Sequence, residues 1–289
     1  MTAAARNWKA MLAGGQARLE TAGIDEAANK LRWVAAHLLG CGLLDVLRHL
    51  DGIPPPGLAA RFEDAVARLE TDEPVQYVIG ETDFMGLRIR CDSRALIPRP
   101  ETEVLAGWAE EFLRGKAAPA AVDVCTGTGC IACALAKHVP GARILATDIS
   151  PDALDLARAN ARALGADVAF LQADLLAGVA DASMDLVVSN PPYVSTAECH
   201  RLDRTVRAFE PRLALDGGED GLRVISRLVS EAARVLTSGG RLMMEIGDDQ
   251  AGAVTEILCK TNLLKFLGLK SDCAGRARVA LAARIPACR

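Results

Sequence analysis

An asparagine, two prolines and a tyrosine occupy residues 190–193, directly after the apolar run "MDLVVS". Each proline biases the residue before it toward an extended backbone, so the Asn190 side chain and the neighbouring carbonyls are held in place. An amide oxygen and a main-chain carbonyl can both accept hydrogen bonds from a planar NH2 group. The ring of Tyr193 can stack on the flat face of that group. The segment therefore predicts a clamp for a planar nitrogen.

The chemistry that needs such a clamp is alkylation of an amide or an exocyclic amine. The nitrogen is a poor nucleophile because its lone pair is delocalised, and two acceptors on its hydrogens orient that lone pair and stabilise the developing charge. Neither a metal nor a strong general base is required, because the nitrogen becomes more acidic as it is alkylated. We predict Asn190, Pro191, Pro192 and Tyr193 as catalytic residues. The alternative is a Pro-Pro turn that ends a strand and leaves Tyr193 on the surface.

A second candidate site is the glycine-containing segment "DVCTGTGC" at residues 123–130. Gly127 and Gly129 permit a tight turn and close approach of the backbone to a ligand. The segment lacks the Lys-Ser/Thr pair of a Walker loop and the third glycine of the dinucleotide fingerprint, so by itself it is a weak signal. Asp148 ends the next strand, where a carboxylate can bind two ribose hydroxyls; its alternative role is to help cap the following helix. Asp174, after the third strand, is either a neighbour of an adenine ring or a solvated loop acid.

Three cysteines, Cys125, Cys130 and Cys133, have the spacing of an iron–sulfur ligand set. The next cysteine is Cys199, so a nearby fourth ligand is missing. We expect Cys125 to end a strand, and Cys130 and Cys133 to pack as small apolar side chains on the following helix.

The elements that position these residues alternate between strand and helix from residue 120 onward. Strands are predicted at "AAVDV", "ARILATD", "VAFLQAD", "MDLVVSN", "GRLMMEIG" and "ARVALAARI". This alternation predicts an α/β sheet with ligands at the carboxyl ends of its strands. We predict three segments: a helical domain at 1–74, a β-hairpin linker at 75–97 and the α/β domain at 98–289.

Composition argues against several classes of protein. The 289 residues carry a net charge of -4, whereas proteins that grip long nucleic acids use a basic face. The start of the chain lacks a signal-peptide core, and no apolar run reaches the roughly 18 residues of a membrane span. Nine cysteines are an odd number, unlike a secreted disulfide framework. We expect a cytoplasmic protein with no membrane contact.

Together these motifs resemble the release-factor glutamine methyltransferases, a family of class I S-adenosylmethionine-dependent enzymes. The resemblance covers essentially the whole chain. It implies a Rossmann-like α/β fold with a seven-strand sheet, a small amino-terminal helical domain and a connecting β-hairpin. It rests on "LIPRPETE" (96–103), "TGTGCIA" (126–132), "DISPDAL" (148–154), "NPPY" (190–193) and "FEPRLALDGGEDGL" (209–222).

The resemblance implies S-adenosylmethionine as cofactor and S-adenosylhomocysteine as product. It implies as substrate the glutamine amide in the Gly-Gly-Gln loop of class-I peptide chain release factors, recognised by the helical domain and the hairpin. The cofactor-binding residues would be Cys125, Thr126, Gly127, Thr128, Gly129, Asp148, Ile149, Asp174, Leu175 and Asn190. The substrate pocket would include Arg99, Glu101, Glu103 and Glu210.

Two residues depart from the family pattern. Cys125 stands where members often have glycine, which reduces backbone freedom at the turn. Leu175 stands where many have an aromatic residue, so adenine would rest on an aliphatic surface. We predict weaker cofactor binding than in a Leu175→Trp variant.

Two other functions use some of the same features. A methyltransferase for adenine, cytosine or guanine amino groups in nucleic acid shares the NPPY geometry but needs base flipping and a basic channel. A non-catalytic cofactor-sensing protein would not need the intact tetrapeptide. The chain's own Gly-Gly-Gln at 14–16 is interpreted as a chance triplet in an alanine-rich helix.

Overall fold

The computed structural model describes residues 6–272 and 274–286. The chain divides into two compact units: the first comprises Met1–Glu81 with Asp203–Phe209, and the second comprises Thr82–Leu202 with Glu210–Arg289. The α-helices are α1 (Trp8–Thr21), α2 (Ala27–Leu39), α3 (Pro56–Glu70), α4 (Val75–Ile79), α5 (Pro100–Arg114), α6 (Cys130–His138), α7 (Pro151–Leu164), α8 (Thr196–Cys199), α9 (Arg204–Phe209), α10 (Arg223–Val235) and α11 (Ala251–Lys260). The strands are β1 (Glu81–Phe84), β2 (Leu87–Arg90), β3 (Ala120–Val124), β4 (Arg143–Asp148), β5 (Val168–Gln172), β6 (Met184–Ser189), β7 (Leu236–Glu245), β8 (Leu264–Ser271) and β9 (Ala277–Arg284).

The first unit is helical, and its core lies between α1, α2 and α3. The rings of Trp8 and Phe62 meet edge to face with their centroids 5.5 Å apart. Gly15 is buried in the middle of α1, where a Cβ atom would lie 3.2 Å from both Leu31 and Val66. The glycine therefore allows α1 to approach α2 and α3 closely, which gives the Gly-Gly-Gln triplet a packing role within a helix.

The predicted hairpin is partly wrong, because Val75–Ile79 form α4 rather than a strand. Pro74 starts this helix at φ -53°, and Gly80 ends it at φ 85° by donating its N–H to the Gln76 carbonyl. The hairpin itself is β1–β2, whose two-residue turn has positive φ at Met85 and Gly86, the geometry of a type I′ turn. The predicted boundaries of the helical domain, the hairpin linker and the α/β domain remain predictions.

The second unit contains a seven-stranded sheet with the order β5-β4-β3-β6-β7-β9-β8. Strands β3 to β7 are parallel, and β9 is antiparallel to β7 and β8. The register pairs Val124 with Thr147 and with Ser189, and Ser189 with Met244. The segments after β3, β4, β6 and β7 therefore begin at the same edge of the sheet.

Strand β8 was not predicted from the sequence. Its apolar pattern is interrupted by lysines and by Gly268 at φ 130°, and its pairing with β9 shifts register between Phe266 and Gly268. Such irregularities are tolerated at the edge of a sheet, where only one side needs hydrogen bonds.

Helices cover both faces of this sheet. In β6, Leu186 and Val188 pack in the cluster with α5 and α6, while Val187 faces α10 and α11, as the two-residue side-chain period requires. A parallel sheet buried on both faces explains the continuous apolar strands in the sequence. Within the described part of the chain, no helix is both long and apolar enough to cross a bilayer.

Candidate active site

A cavity of about 330 Å³ lies in the second unit, and its walls come from segments that follow β3, β4, β5 and β6. It brings together most of the residues that the sequence singled out. Those that line it are Arg99, Cys125, Thr126, Gly127, Thr128, Asp148, Ile149, Asp174, Leu175, Asn190 and Pro192. The predicted residues outside the lining are Glu101, Glu103, Gly129, Pro191, Tyr193 and Glu210.

The glycine turn is held against the end of β4. Thr126 N–H donates to the Thr147 carbonyl at 3.0 Å, and Gly127 N–H donates to Asp148 Oδ2 at 2.9 Å. Cys125 has φ 57°, a left-handed conformation that costs a residue other than glycine roughly 1–2 kcal/mol. This conformation explains why a glycine suits the position better than a cysteine.

Gly129 supports the turn through helix packing. It lies at φ 78°, just before α6, and a Cβ atom there would come within 2.9 Å of the Ala157 side chain. The absence of a side chain therefore brings α6 against α7, the role expected of a glycine at the start of this helix.

Asp123, which the sequence motifs do not mark as a site residue, lies beneath the same turn. Its Oδ2 accepts hydrogen bonds from the Thr126 hydroxyl at 2.6 Å and from Ala132 N–H at 3.1 Å. Among the described residues, none pairs with its Oδ1. Burial raises the pKa of Asp123 to about 7. The signal in the sequence was a carboxylate inside the apolar strand "AAVDV".

Asp148 accepts hydrogen bonds from two backbone N–H groups, and the one at the start of the following helix is the capping contact considered as its alternative role. Its Oδ2 accepts from Gly127 N–H, and its Oδ1 accepts from Ser150 N–H at 2.9 Å at the start of α7. Burial raises the pKa of Asp148, while the hydrogen bonds that its carboxylate accepts from backbone N–H groups partly offset this rise. A carboxylate has about four acceptor sites, so each oxygen can also accept a ribose hydroxyl from the cavity.

The wall beyond β5 is apolar at its base and charged at its rim. Leu175 is buried at φ 53°, and its carbonyl accepts from the Thr147 hydroxyl at 2.9 Å. Asp174 is half-exposed and forms an ion pair of 2.8 Å with Arg227. The arginine neutralises this acid at the mouth of the cavity.

The tetrapeptide begins where β6 ends, beside the glycine turn. Asn190 Nδ2 donates to Thr102 Oγ1 at 3.0 Å. The Tyr193 hydroxyl donates to Glu245 Oε1 at 3.0 Å, and burial together with the Glu245 charge raises the pKa of Tyr193. The alternative of a surface tyrosine therefore does not describe this residue.

The tetrapeptide backbone is braced by glycines from residues 216–222. A Cβ atom on Gly217 would lie 2.7 Å from the Pro192 carbonyl, and one on Gly221 would overlap the Tyr193 carbonyl. The motif "DGGEDGL" therefore contributes through the close contact that its glycines permit.

Three acids were assigned to the substrate pocket, and two of them support the surrounding loops. Glu210 is buried, forms an ion pair with Arg99 and accepts from Ile97 N–H at 3.2 Å. Glu103 accepts from Met85 N–H at 2.8 Å and so holds the hairpin turn. Glu101 lies in the first turn of α5. Two of the three thus stabilise the segments around the cavity from outside it.

Two of the three clustered cysteines are packed as small apolar side chains. Cys130 and Cys133 are buried among Ile131 and Leu135 on α6. Cys125 packs on the opposite face of the sheet. Across residues 6–272 and 274–286, no group of three or more His, Cys, Asp or Glu side chains could hold a metal ion.

A seven-strand sheet of this order, with a glycine turn after its first strand and NPPY after its fourth, defines a methyltransferase of class I. The hMettl16 catalytic domain has the same fold, with a TM-score of 0.54, 17% identity, and coverage of 80% of this chain and 82% of that one. Family models match the chain as a methyltransferase small domain at residues 110–217 and as a PrmC N-terminal domain at residues 10–80.

Sequence relatives specify the class further. The release factor glutamine methyltransferase of Deinococcus radiodurans is 42% identical over 236 residues, covering 82% of this chain and 84% of the relative. That of Cereibacter sphaeroides is 40% identical over 274 residues, covering 93% and 95%. The chain belongs to the release factor glutamine methyltransferase family, which confirms the resemblance drawn from the motifs.

Proposed function

We propose that this protein transfers a methyl group from S-adenosylmethionine to the side-chain amide nitrogen of the glutamine in the Gly-Gly-Gln loop of class-I peptide chain release factors. The observation that carries the proposal is the Asn190 amide. It lines the cavity beside the glycine turn while its nitrogen is already bonded to Thr102. Its oxygen is thereby left to accept from a substrate NH2 group.

The cavity residues fit S-adenosylmethionine. Asp148 can accept the ribose hydroxyls, Leu175 and Ile149 form apolar walls for the adenine, and Gly127 admits close backbone approach. A volume of about 330 Å³ falls within the range of small-molecule sites. When bound, this cofactor supplies an electrophilic methyl group, and S-adenosylhomocysteine is the product.

The residues of the tetrapeptide act on the nucleophile. Asn190 Oδ1 and the Pro191 carbonyl accept the two hydrogens of the glutamine NH2, which orients the nitrogen lone pair and stabilises the charge that develops on it. Tyr193 and Pro192 shape the surface against which the amide lies. The proton on nitrogen then leaves to solvent, because the alkylated nitrogen is acidic.

A nucleic-acid substrate would need free positive charge around the cavity. Of the three arginines that line it, Arg99 and Arg227 are ion-paired with Glu210 and Asp174, and Arg223 is the remaining one. We therefore favour the protein substrate, recognised by the helical unit and the hairpin, and we place the reaction in the cytoplasm.

The test uses labelled S-adenosylmethionine with a full-length class-I release factor and with its Gln→Ala variant in the Gly-Gly-Gln loop. We expect label only on the unaltered factor, located on that glutamine by mass spectrometry. A reaction without release factor controls for methylation of Gln16 in the enzyme's own triplet. Label on the Gln→Ala factor, or on added oligonucleotides instead of the factor, would overturn the proposal.

A further inference from the structure

A buried carboxylate joins the two ends of the NPPY tetrapeptide. Glu245, the last residue of β7, is 2% exposed. Its Oε1 accepts from the Tyr193 hydroxyl at 3.0 Å, and its Oε2 accepts from the Thr102 hydroxyl at 2.7 Å. Thr102, in the first turn of α5, is 3% exposed and also accepts from Asn190 Nδ2 at 3.0 Å. We call the chain of contacts from Asn190 through Thr102 to Glu245 the amide relay.

The direction of each hydrogen bond in the amide relay follows from the chemistry of its groups. An ionised carboxylate only accepts hydrogen bonds, and a threonine hydroxyl has one hydrogen to donate. Because Thr102 gives that hydrogen to Glu245, only its lone pairs face Asn190. The Asn190 group that meets Thr102 must therefore be the NH2 group and not the oxygen.

The consequence appears on the opposite side of the Asn190 amide. Asn190 lines the cavity, and no described residue donates to its Oδ1. With Nδ2 held by Thr102, the free oxygen is the atom offered to a substrate. A rotation of the amide by half a turn would set its oxygen against the Thr102 lone pairs and present N–H groups to the substrate NH2.

We propose that Thr102 and Glu245 are positioning residues that hold the Asn190 amide with its oxygen toward the substrate nitrogen, which selects a nucleophile that donates hydrogen bonds. The inference rests on the proposed function, because it assigns a cause to the orientation that the methyl transfer requires. Buried polar groups of this kind are unfavourable unless they are fully bonded. The relay meets that condition. Glu245 accepts from Tyr193 and from Thr102, and Thr102 donates to Glu245 and accepts from Asn190.

The alternative is that these contacts only stabilise the fold. The two roles differ in what the loss of the Thr102 hydroxyl does. If the contacts are structural, Thr102→Val lowers the melting temperature but leaves turnover unchanged well below it. If the relay positions Asn190, the same variant lowers kcat while the affinity for S-adenosylmethionine is retained.

The experiment measures kcat with a release factor, cofactor Kd by calorimetry and melting temperature for four variants. Thr102→Val replaces the hydroxyl with a methyl group of similar size. Thr102→Ala removes the hydroxyl without putting a methyl group in its place. Thr102→Ser restores the hydroxyl. Thr255→Val is the matched control, because the Thr255 hydroxyl bonds only the Ala251 carbonyl within α11.

We expect kcat to fall about 100-fold in Thr102→Val and Thr102→Ala, the size seen when one oriented group is removed from a reaction site. Thr102→Ser should stay within about threefold of the unaltered enzyme, and Thr255→Val should match it. In protein labelled with 15N-asparagine, the Asn190 NH2 protons should exchange slowly with water in the unaltered protein and in Thr102→Ser, because Nδ2 donates to Thr102. That protection from exchange should be lost in Thr102→Val.

Each contrary result has a distinct meaning. Equal kcat in Thr102→Val and the unaltered enzyme overturns the relay, as does a Thr102→Ser variant as slow as Thr102→Val. Failure of both hydroxyl-free variants to fold also overturns it, since the contact would then be structural. If the unaltered enzyme methylates no release factor, the proposed function fails, and the Asn190 resonances still decide whether the relay holds the amide.

Discussion

Gln250 Nε2 donates a hydrogen bond of 2.8 Å to the Tyr193 carbonyl, and so ties the loop after β7 to the last residue of NPPY. The Gln250 Oε1 accepts from Gly247 N–H at 3.0 Å, which fixes the orientation of this amide. Gly221 lies against the same carbonyl. The backbone of the tetrapeptide is thus held from two sides by segments far away in the sequence.

Gly221→Ala should lower stability and turnover by more than the backbone strain of a positive φ angle accounts for. Gly221 has φ 73° and Gly239 has φ 75°, but a Cβ atom on Gly239 meets nothing within 4 Å. Gly239→Ala should therefore lower the free energy of unfolding by about 1 kcal/mol through backbone strain and leave turnover intact. Gly221→Ala adds an overlap with the Tyr193 carbonyl, so we expect a greater loss of stability and at least about tenfold lower kcat.

Urea denaturation and initial rates at a temperature well below both melting points test this pair. Equal losses of stability in the two variants, with unchanged turnover in Gly221→Ala, would show that the close contact of Gly221 with the Tyr193 carbonyl does not support the active site.

Asn190→Ala should abolish most turnover without unfolding the protein. It removes the acceptor for the substrate NH2, and the loss of one such group typically lowers kcat by about 10²–10³-fold. Asn262→Ala, which changes an exposed asparagine next to β8, is the control and should keep full activity. Steady-state rates with a release factor measure the effect. A cofactor-sensing protein without catalysis would instead retain its biological effect in Asn190→Ala.

Leu175→Trp should bind S-adenosylmethionine more tightly than the unaltered protein. An indole ring at this cavity wall can stack on the adenine, which contributes about 1 kcal/mol beyond burial, or roughly fivefold in Kd. The backbone already has φ 53° at this position, so the exchange of one non-glycine residue for another adds no new strain there. Calorimetry measures both proteins.

Leu267→Trp, at an exposed site on β8, controls for a general effect of added tryptophan and should leave Kd unchanged. Equal or tighter binding by the unaltered protein would contradict the assignment of Leu175 to the adenine wall.

Asp123 should make the stability of the protein fall as the pH rises toward neutrality. Burial raises its pKa from 3.8 to about 7, so between these values the folded protein keeps a proton that the unfolded chain has lost. Its contribution is complete below about pH 4 and disappears as the pH approaches 7. At about 1.4 kcal/mol for each pKa unit, the interval is worth on the order of 4 kcal/mol.

Asp123→Asn replaces the carboxyl group by an amide that does not titrate, so the variant does not lose this stability as the pH rises. Its unfolding free energy relative to that of the unaltered protein should therefore increase from pH 5 to pH 8. Asp185→Asn is a control of opposite sign. The pKa of Asp185 is lowered because it accepts from Ala120 N–H and Lys116, against an opposing effect of burial. Its contribution is present at neutral pH and is lost as the pH falls. Parallel pH profiles for the unaltered protein and Asp123→Asn would exclude the assignment.

Residues next to strand ends were predictable because their signals are local. The sheet, the glycine turn, Asp148 and NPPY follow from apolar runs and turn residues read along the chain. The helix at Val75–Ile79 and the strand Leu264–Ser271 were not recognised, because a five-residue apolar stretch does not distinguish helix from strand and a bulged edge strand lacks a regular pattern. The roles of Asp123, Thr102, Glu245 and Gln250 were missed because each depends on a partner that the pattern does not identify.

By itself, the sequence determined the fold class, the family and the order of groups that meet at the carboxyl edge of the sheet, because these depend on periodicity and on motifs of a few neighbouring residues. Only the tertiary structure decided which atom of Asn190 is free. That depends on Thr102, 88 residues away, and on Glu245, 143 residues from Thr102. The physical reason is that a hydrogen bond has a direction set by its donors and acceptors in space, and the strand order β3-β6-β7 brings these groups together.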